Sequence, residues 1–230
     1  MSVRRCLFPI SVDRRQFRTE PFVSAIKAIA KPYDECVFLI ADWLQLHNKA
    51  SLCFRGLKLS AILDSFRLRN PYLGKRKQWL RRVCQRVQGT WAYNASWVVI
   101  GMDDIMDKAF CRTWRNVVLM YECIDEFRDE IHMAASEHNV TAKGSADETS
   151  HLRLSNVYLL EQVAVSVRLR VIDSIEAEYY IGDTLPVLVK LYAGRYGVNV
   201  WTLAGSPTRR KRFRVFRLKG RSGSLKWAPL

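Results

Sequence analysis

The sequence predicts an α/β protein whose mostly parallel sheet is covered by helices on both faces. Three short apolar runs support this prediction: Cys6–Ile10, Cys36–Ala41 and Trp97–Ile100. Each has the length of a buried strand and is bounded by polar residues. Segments with helical periodicity separate the runs, and strands that alternate with helices are typical of parallel sheets.

Helical periodicity fills the first half of the chain between these runs. Phe22, Ile26 and Ile29 recur at helical spacing, and Pro32 follows where that helix should end. From Arg112 to about His138 the apolar residues step by three and four. This spacing predicts one long amphipathic helix.

The second half of the chain continues the alternation. Gly144–Ser150 has the composition of an exposed loop, and Asn156–Val167 is apolar on nearly all sides, which predicts a buried helix. Val171–Tyr180 is strand-like, and Thr184–Tyr192 begins a further helix. The sequence shows no internal repeat.

The composition indicates one folded unit without bound metal. The chain has 230 residues, 49% of them hydrophobic, which is enough for one substantial core. It contains no apolar stretch of membrane-spanning length and no signal-peptide pattern, so we expect a cytoplasmic protein that does not enter a membrane. The six cysteines are scattered without a CxxC pair, which predicts reduced thiols and neither a metal site nor a cofactor.

The positive charge is concentrated near the end of the sequence. The net charge is +15, and nine basic residues without any acid lie between Arg209 and Lys226, so the rest of the chain carries only +6. A balance of this kind favours a polyanionic partner. We therefore predict a domain over residues 1–206 and a basic tail over residues 207–230 that stays flexible or folds on RNA.

Four motifs, taken in order, resemble one family. They are Cys6–Ser11, Val37–Asp42, Tyr158–Gln162 and Glu178–Thr184. In these stretches the chain resembles the tRNA-dependent cyclodipeptide synthases, whose fold is similar to the catalytic domain of class I tyrosyl-tRNA synthetases. The resemblance spans Cys6 to about Gly197. It implies a Rossmann-like sheet and an aminoacyltransferase that joins the aminoacyl groups of two aminoacyl-tRNAs into a cyclic dipeptide without ATP.

The resemblance assigns roles to three side chains. Ser11 matches the serine that accepts the first aminoacyl group, and its position after a strand suits the rule that ligands of open α/β sheets bind beyond the carboxyl ends of strands. Tyr158 matches a tyrosine that holds the substrate amino group, and Tyr180 a second tyrosine near the nucleophile. Without the motifs, Ser11 would be interpreted as a turn residue and both tyrosines as space-filling.

Gln162 departs from the family pattern. The family has a catalytic glutamate at this position, and an amide cannot accept the proton of an amine near neutral pH. Two neighbouring carboxylates are candidates to compensate, namely Glu161 and Glu178, which shares a strand face with Tyr180. The alternative for Glu178 is a solvated or ion-paired strand residue.

The resemblance also implies a pocket for the first aminoacyl side chain. Most of its residues are apolar, which favours an apolar side chain unless a charged Glu178 faces inward. Two further positions distinguish subfamilies: Arg14 excludes the asparagine type, and Ile181 makes the chain atypical of the other. The pocket residues are Leu7, Pro9, Leu39, Ala41, Met102, Val165 and Glu178.

A basic helix is predicted between Lys75 and Val87. Its apolar stripe is flanked by cations with no acid among them, and the family uses a helix in this region to bind tRNA phosphates. The alternative is a solvated helix face. The predicted tRNA-binding residues are Lys75, Lys77, Arg81, Arg82 and Arg86. Because Gln162 replaces the family's base, the rival function is a noncatalytic tRNA-binding protein with the same fold.

Overall fold

A computed structural model describes residues 3–10, 26, 30–40, 96–101, 104–138, 148–171, 174–180, 185–205, 214–219 and 226–229. In this part of the chain the strands form one sheet in the order β3-β2-β1-β4-β5-β6. The strands are β1 (Arg5–Ile10), β2 (Glu35–Ile40), β3 (Ser96–Gly101), β4 (Ile175–Tyr180), β5 (Arg214–Lys219) and β6 (Lys226–Pro229).

The first five strands are parallel, and β6 joins the edge antiparallel to β5. The predicted mostly parallel sheet is therefore confirmed, as are the three apolar runs that form β1, β2 and β3. The strand order reverses direction between β1 and β4. In open α/β sheets, ligands bind outside the carboxyl ends of the strands at such a reversal.

The described helices are α1 (Lys108–Cys123), α2 (Asp125–His138), α3 (Glu148–Val171), α4 (Pro186–Tyr192) and α5 (Val200–Leu203). Earlier in the chain, Ile26 and Ala30 are helical and fully buried, and Lys31 lies in a turn, so the predicted first helix ends where Pro32 suggested. No helix within the described residues has the length and apolar character needed to cross a membrane.

Two helices replace the predicted long one between Arg112 and His138. The break falls at Ile124, whose φ of −119° and ψ of 104° are extended. Asp125 and Glu126 follow in the first turn of α2, where acidic side chains interact favourably with the helix dipole. The apolar steps of three and four continue across Ile124, so periodicity alone does not reveal the interruption.

Helix α3 is longer than the buried segment predicted for it. It begins at Glu148, inside the predicted loop Gly144–Ser150, and continues to Val171, so the strand that was predicted from Val171 begins only at Ile175. Ser174, with a φ of 59°, lies between the two elements. Positive φ of this kind lets the chain reverse sharply from a helix into a strand. The prediction of burial is confirmed for residues 159, 160 and 163–167 of the predicted segment, while residues 156–158, 161 and 162 are half-buried.

The basic segment after residue 206 contains two strands of the sheet. Strand β5 pairs with β4 over four residue pairs, and β6 pairs with β5 over four more. The sequence predicts that residues 207–230 form a tail that stays flexible or folds on RNA, and residues 214–219 and 226–229 of this segment are strands in the structure. Strand β5 has apolar residues Val215, Phe216 and Leu218 between its cations, and pairing with a preformed strand satisfies its backbone groups whatever its charge.

The sheet has a different apolar layer on each face. On one face Leu7, Val37 and Leu39 belong to the large core cluster that includes α3. On the other face Phe8 stacks on Phe38 at a centroid distance of 5.2 Å. Alternation of residues along each strand separates the two sets. Burial of both faces accounts for the continuous apolar runs of β1 and β2, as is usual for strands in parallel sheets.

Two cysteines on this second face are predicted to resist alkylation. Cys6 and Cys36 are opposite each other on β1 and β2, both are fully buried, and their Sγ atoms are 3.3 Å apart. Burial, followed by the hydrogen bond with Cys36, raises the pKa of the Cys6 thiol. Since the thiolate is the reactive form, we expect iodoacetamide to label Cys6 and Cys36 at least about a hundredfold more slowly than exposed Cys111 and Cys123.

Peptide mapping by mass spectrometry measures each cysteine separately. Labelling in guanidinium should remove the difference, because unfolding exposes all four thiols. Rapid labelling of Cys6 in the native protein would contradict the burial of this face.

Candidate active site at the carboxyl edge of the sheet

Strands β1 and β4 are neighbours and end at the same edge of the sheet. Their register pairs Leu7 with Glu178. Strand β1 ends at Ile10 and β4 at Tyr180. Ser11 is the next residue in the chain after Ile10 but lies outside the described residues. The edge between β1 and β4 is the reversal point of the strand order, where a ligand site is expected.

Helix α3 brings a line of side chains to the same region. Tyr158, Gln162, Ser166 and Arg170 are spaced by four and therefore follow one helix face. Only residues 172–174 connect α3 to β4, so the helix runs back along the strand. Ser166 donates a hydrogen bond to Glu178, which fixes how far the two elements are offset.

This offset places Gln162 near the carboxyl edge. One helical turn from Ser166 to Gln162 covers about 6 Å. Two strand residues, from Glu178 to Tyr180, cover about 7 Å. Measured along β4, Gln162 therefore lies about as far toward the carboxyl edge as the backbone of Tyr180. Tyr158 lies one helical turn farther in the same direction. Both α3 side chains are half-buried, and Tyr158 packs against the core.

Glu178 lies in a buried polar cluster just below this level. Its side chain is 1% exposed, and its Oε2 accepts a hydrogen bond of 3.0 Å from the Ser166 hydroxyl. The same hydroxyl is hydrogen-bonded to the Tyr192 hydroxyl of α4. The burial of Glu178 excludes the alternative that it is a solvated strand residue. We call Glu178, Ser166, Arg170 and Tyr192 the Glu178 cluster.

Arg170 supplies the positive charge of the Glu178 cluster. Arg170 is 8% exposed, and its Cζ lies 4.1 Å from the centroid of the Tyr192 ring. Burial lowers the pKa of the Arg170 guanidinium, while Tyr192 and the charge of Glu178 oppose that shift. Burial and the charge of Glu178 both raise the pKa of Tyr192. The cluster therefore keeps Tyr192 neutral and holds opposite charges from α3 and β4 in a buried environment.

The structure brings together several residues of the predicted first pocket. Leu7, Leu39 and Val165 are all buried in the core cluster, and Pro9 is half-buried and pairs in register with Leu39. Glu178 is next to Leu7 on the neighbouring strand. The four strand residues therefore share one face of the sheet, and Val165 belongs to the helix that packs in the same core cluster.

Other predicted site residues lie outside the described part of the chain. They include Ser11, the pocket residues Ala41 and Met102, and the subfamily positions Arg14 and Ile181. The backbone of Tyr180 is described as the last residue of β4. The predicted tRNA-binding helix lies wholly outside the described residues, with Lys75, Lys77, Arg81, Arg82 and Arg86.

Sequence reasoning missed three members of the Glu178 cluster. Ser166 is a polar residue inside the helix predicted to be buried, and Arg170 lies three residues beyond the predicted end of that helix. Both are buried, and a buried charge requires a partner. That requirement is a signal that the sequence contains. The contribution of Tyr192 has no such signal, because it depends on how α4 packs.

A cavity of about 200 Å³ opens elsewhere on the α3 side of the sheet. Its lining includes Arg5 and Glu35, which form an ion pair of 3.1 Å, and Arg168, which pairs with Asp107 at 2.8 Å. The hydrogen bond from Arg168 lowers the pKa of Asp107. Among the residues that the structure describes, none that was predicted for catalysis or binding lines this cavity.

Comparison with known proteins identifies the fold. No protein-family model matches the chain, and no curated protein matches it. Solved structures match the chain. The structure of a CDPS (cyclodipeptide synthase) from Fluoribacter dumoffii is 20% identical with a TM-score of 0.67, and the match covers 98% of this chain and 90% of the other.

Two further structures are similar. A cyclodipeptide synthase from Candidatus Glomeribacter gigasporarum, bound to Phe-tRNAPhe, is 17% identical with a TM-score of 0.58, covering 84% of this chain and 83% of its own. A Mycobacterium tuberculosis protein is 11% identical with a TM-score of 0.58, covering 82% of this chain and 78% of its own, and its structure relates cyclodipeptide synthetases to type I tRNA synthetases. The chain thus has the Rossmann-like fold of cyclodipeptide synthases.

Proposed function

We propose that the protein is a tRNA-dependent cyclodipeptide synthase, an aminoacyltransferase that uses two aminoacyl-tRNAs as substrates. The observation that supports this most strongly is the likeness to cyclodipeptide synthases over nearly the whole of both chains, which reaches 98% of this one. A similar structure contains Phe-tRNAPhe. The positions of Tyr158 and Gln162 on one face of α3, and of Tyr180 at the end of the strand next to β1, also fit this function.

The first step transfers an aminoacyl group to the enzyme. The Ser11 hydroxyl oxygen attacks the ester carbonyl of the first aminoacyl-tRNA, the bond to the tRNA ribose oxygen breaks, and the serine proton passes to that oxygen. An aminoacyl ester on Ser11 and a free tRNA result. The tRNA ester is already activated, so the step requires positioning more than a strong base. Tyr180 steadies the serine ester from the neighbouring strand.

The second step forms the first peptide bond. The amine of the second aminoacyl-tRNA attacks the ester on Ser11, the bond to the serine oxygen breaks, and one amine proton returns to that oxygen. The terminal amine of the dipeptidyl-tRNA then attacks its own ester and releases a cyclic dipeptide and the second tRNA. Tyr158 and Gln162, one turn apart on α3, position the reacting amine.

Glu178 is the carboxylate that compensates for Gln162 in this proposal. It lies about one helical turn below Gln162 and contacts Ser166 of the same helix face. A hydroxyl between the amine and the carboxylate can pass a proton in two short transfers. Glu161, the other carboxylate considered, is half-buried on a different face of α3 from Gln162.

Exchanging the two side chains tests this assignment. We expect Glu178→Gln to lower the rate of peptide-bond formation by about 10² to 10⁴, the usual contribution of a general base. Adding Gln162→Glu to that variant should restore most of the rate, because it returns a carboxylate to the same helix face. The measurement is single-turnover product formation from preformed aminoacyl-enzyme. Full activity of Glu178→Gln alone would assign Glu178 to the ion-paired role.

Phosphate contacts by the helix predicted between Lys75 and Val87 would provide tRNA affinity. Binding should then weaken steeply as salt rises, because each neutralised phosphate releases counterions.

A mixture of charged tRNAs provides the decisive assay. Incubation with the purified protein and mass spectrometry of the extract should show a diketopiperazine that identifies the two amino acids. The rival is a noncatalytic tRNA-binding protein, which the replacement of the base by Gln162 favours. Retained tRNA binding with no cyclic product from any charged tRNA would support the rival and contradict the proposal.

A further inference from the structure

Strand β5 places basic residues beside Tyr180. Its register pairs Val215 with Glu178 and Arg217 with Tyr180. Residues at alternate positions share a face, so Arg217 and Lys219 are on the face of Glu178 and Tyr180. Lys219 lies two residues beyond Arg217, past the end of β4. The segment predicted to be a tail therefore places two basic residues at the carboxyl edge of the sheet.

Strand β6 adds a third cation to the same place. The antiparallel register of β5 and β6 puts Lys226 directly opposite Lys219. Directly opposed residues share a face, and like charges in such a pair destabilise the sheet. Residues 207–230 contain no acidic residue that could offset the charge from within the segment. A pair of this kind is suited to an external anion that lies across it.

We propose that Arg217, Lys219 and Lys226, the β5–β6 cationic face, bind phosphates near the acylated end of an aminoacyl-tRNA. The inference rests on the proposed function, since it names where the same substrate extends from the site. An ester held between β1 and β4 has the adjoining nucleotides close by, and β5 and β6 are the next strands outward. Lysine and arginine bind phosphate oxygens through charge-assisted hydrogen bonds, with arginine able to bind two at once.

Binding of tRNA without turnover tests the proposal. The test variant is Arg217→Gln/Lys219→Gln/Lys226→Gln, and the affinity of fluorescently labelled charged tRNA is measured by anisotropy over a range of salt. We expect the Kd to rise at least about tenfold and the slope of log K against log salt to fall by roughly 2, since each lost phosphate contact removes about 0.7 to 0.9.

Arg214→Gln is the matched control for Arg217→Gln. Arg214 is on the same strand, three residues away, and on the opposite face, where its register partner is Ala177. If these arginines acted only through the net charge of the protein, Arg217→Gln and Arg214→Gln would lower the affinity for tRNA equally. We expect a clear loss of affinity for Arg217→Gln and little for Arg214→Gln. Lys219→Arg/Lys226→Arg retains the charge and should retain wild-type affinity.

Any of three results would overturn the inference. The first is a triple variant that binds tRNA with the wild-type Kd and salt slope. The second is a wild-type protein that binds no charged tRNA, and the third is a set of substitutions that weakens binding to phosphatidylserine vesicles but not to tRNA. Unfolding curves establish that the variants are folded. The product assay remains separate: a wild-type protein that binds tRNA through this face but forms no diketopiperazine contradicts the proposed function and supports the inference.

Discussion

Ser11→Ala should abolish cyclic dipeptide formation while leaving tRNA binding within about twofold of wild type. Every product molecule passes through an ester on this hydroxyl in the proposed reaction, so removal of the oxygen removes the pathway. We expect a loss of at least about 10³ in rate, because removal of the nucleophile of a serine enzyme costs up to about 10⁶ in kcat. The measurement is diketopiperazine yield with matched charged tRNAs.

Trapping the acylated protein gives the same prediction a direct readout. After acid quenching with a single charged tRNA, the peptide that contains Ser11 should gain the mass of one aminoacyl group, and Ser11→Ala should gain none. Ser136→Ala is the matched control, because Ser136 is an exposed helix serine whose hydroxyl bonds only locally to the His132 carbonyl. Product formation by Ser11→Ala at the wild-type rate would end the covalent mechanism.

The central sheet was predictable because local composition and tertiary environment agree there. Strands buried on both faces need continuous apolar runs, and Cys36–Ala41 is such a run. The boundaries of α3 were less accessible. Glu148–Ser150 has loop composition and yet forms the first turn of the helix, so the local preference was overridden by the elements around it.

At the end of the sequence, charge and strand formation point in different directions. A segment with nine cations and no acid is typical of disorder when it is considered alone. Strand β5 is not alone, because β4 presents a row of backbone donors and acceptors that pairing satisfies. The prediction of a polyanionic partner and the formation of strands are compatible, since cations on one face leave backbone pairing intact.

The Glu178 cluster could be predicted from the sequence only in part. A glutamate among apolar pocket residues signals either a function or a partner, and both alternatives were open from the sequence. The hydrogen bond from Ser166 and the position of the Arg170 charge depend on how far α3 and β4 are offset along each other. Such an offset is a property of the assembled fold.

Breaking the Glu178 cluster at Arg170 should cost much of the protein's stability. Arg170→Met removes the positive charge next to Glu178, whose carboxylate stays buried. Removing one member of a buried charge pair costs about 3 to 5 kcal/mol. The lost contact between the guanidinium and the Tyr192 ring adds about 0.5 to 2 kcal/mol at most. The free energy of unfolding from guanidinium denaturation at neutral pH measures the effect.

Two further variants separate the charge effect from ordinary loss of packing. Arg128→Met removes an arginine whose partner, Asp125, is 82% exposed, so we expect a change of about 0 to 1 kcal/mol. Arg170→Met/Glu178→Leu removes both buried charges. It should recover most of the stability lost in Arg170→Met, because no buried carboxylate remains at position 178.

The pH dependence of the free energy of unfolding tests the charge effect independently. In Arg170→Met the burial cost falls on the ionised form of Glu178, so acidification that protonates this carboxyl relieves it. The stability gap between Arg170→Met and wild type should therefore narrow as the pH is lowered from 7 toward about 4. A gap that is constant with pH, together with no recovery in the double variant, would mean that the Arg170 side chain stabilises the fold by packing alone.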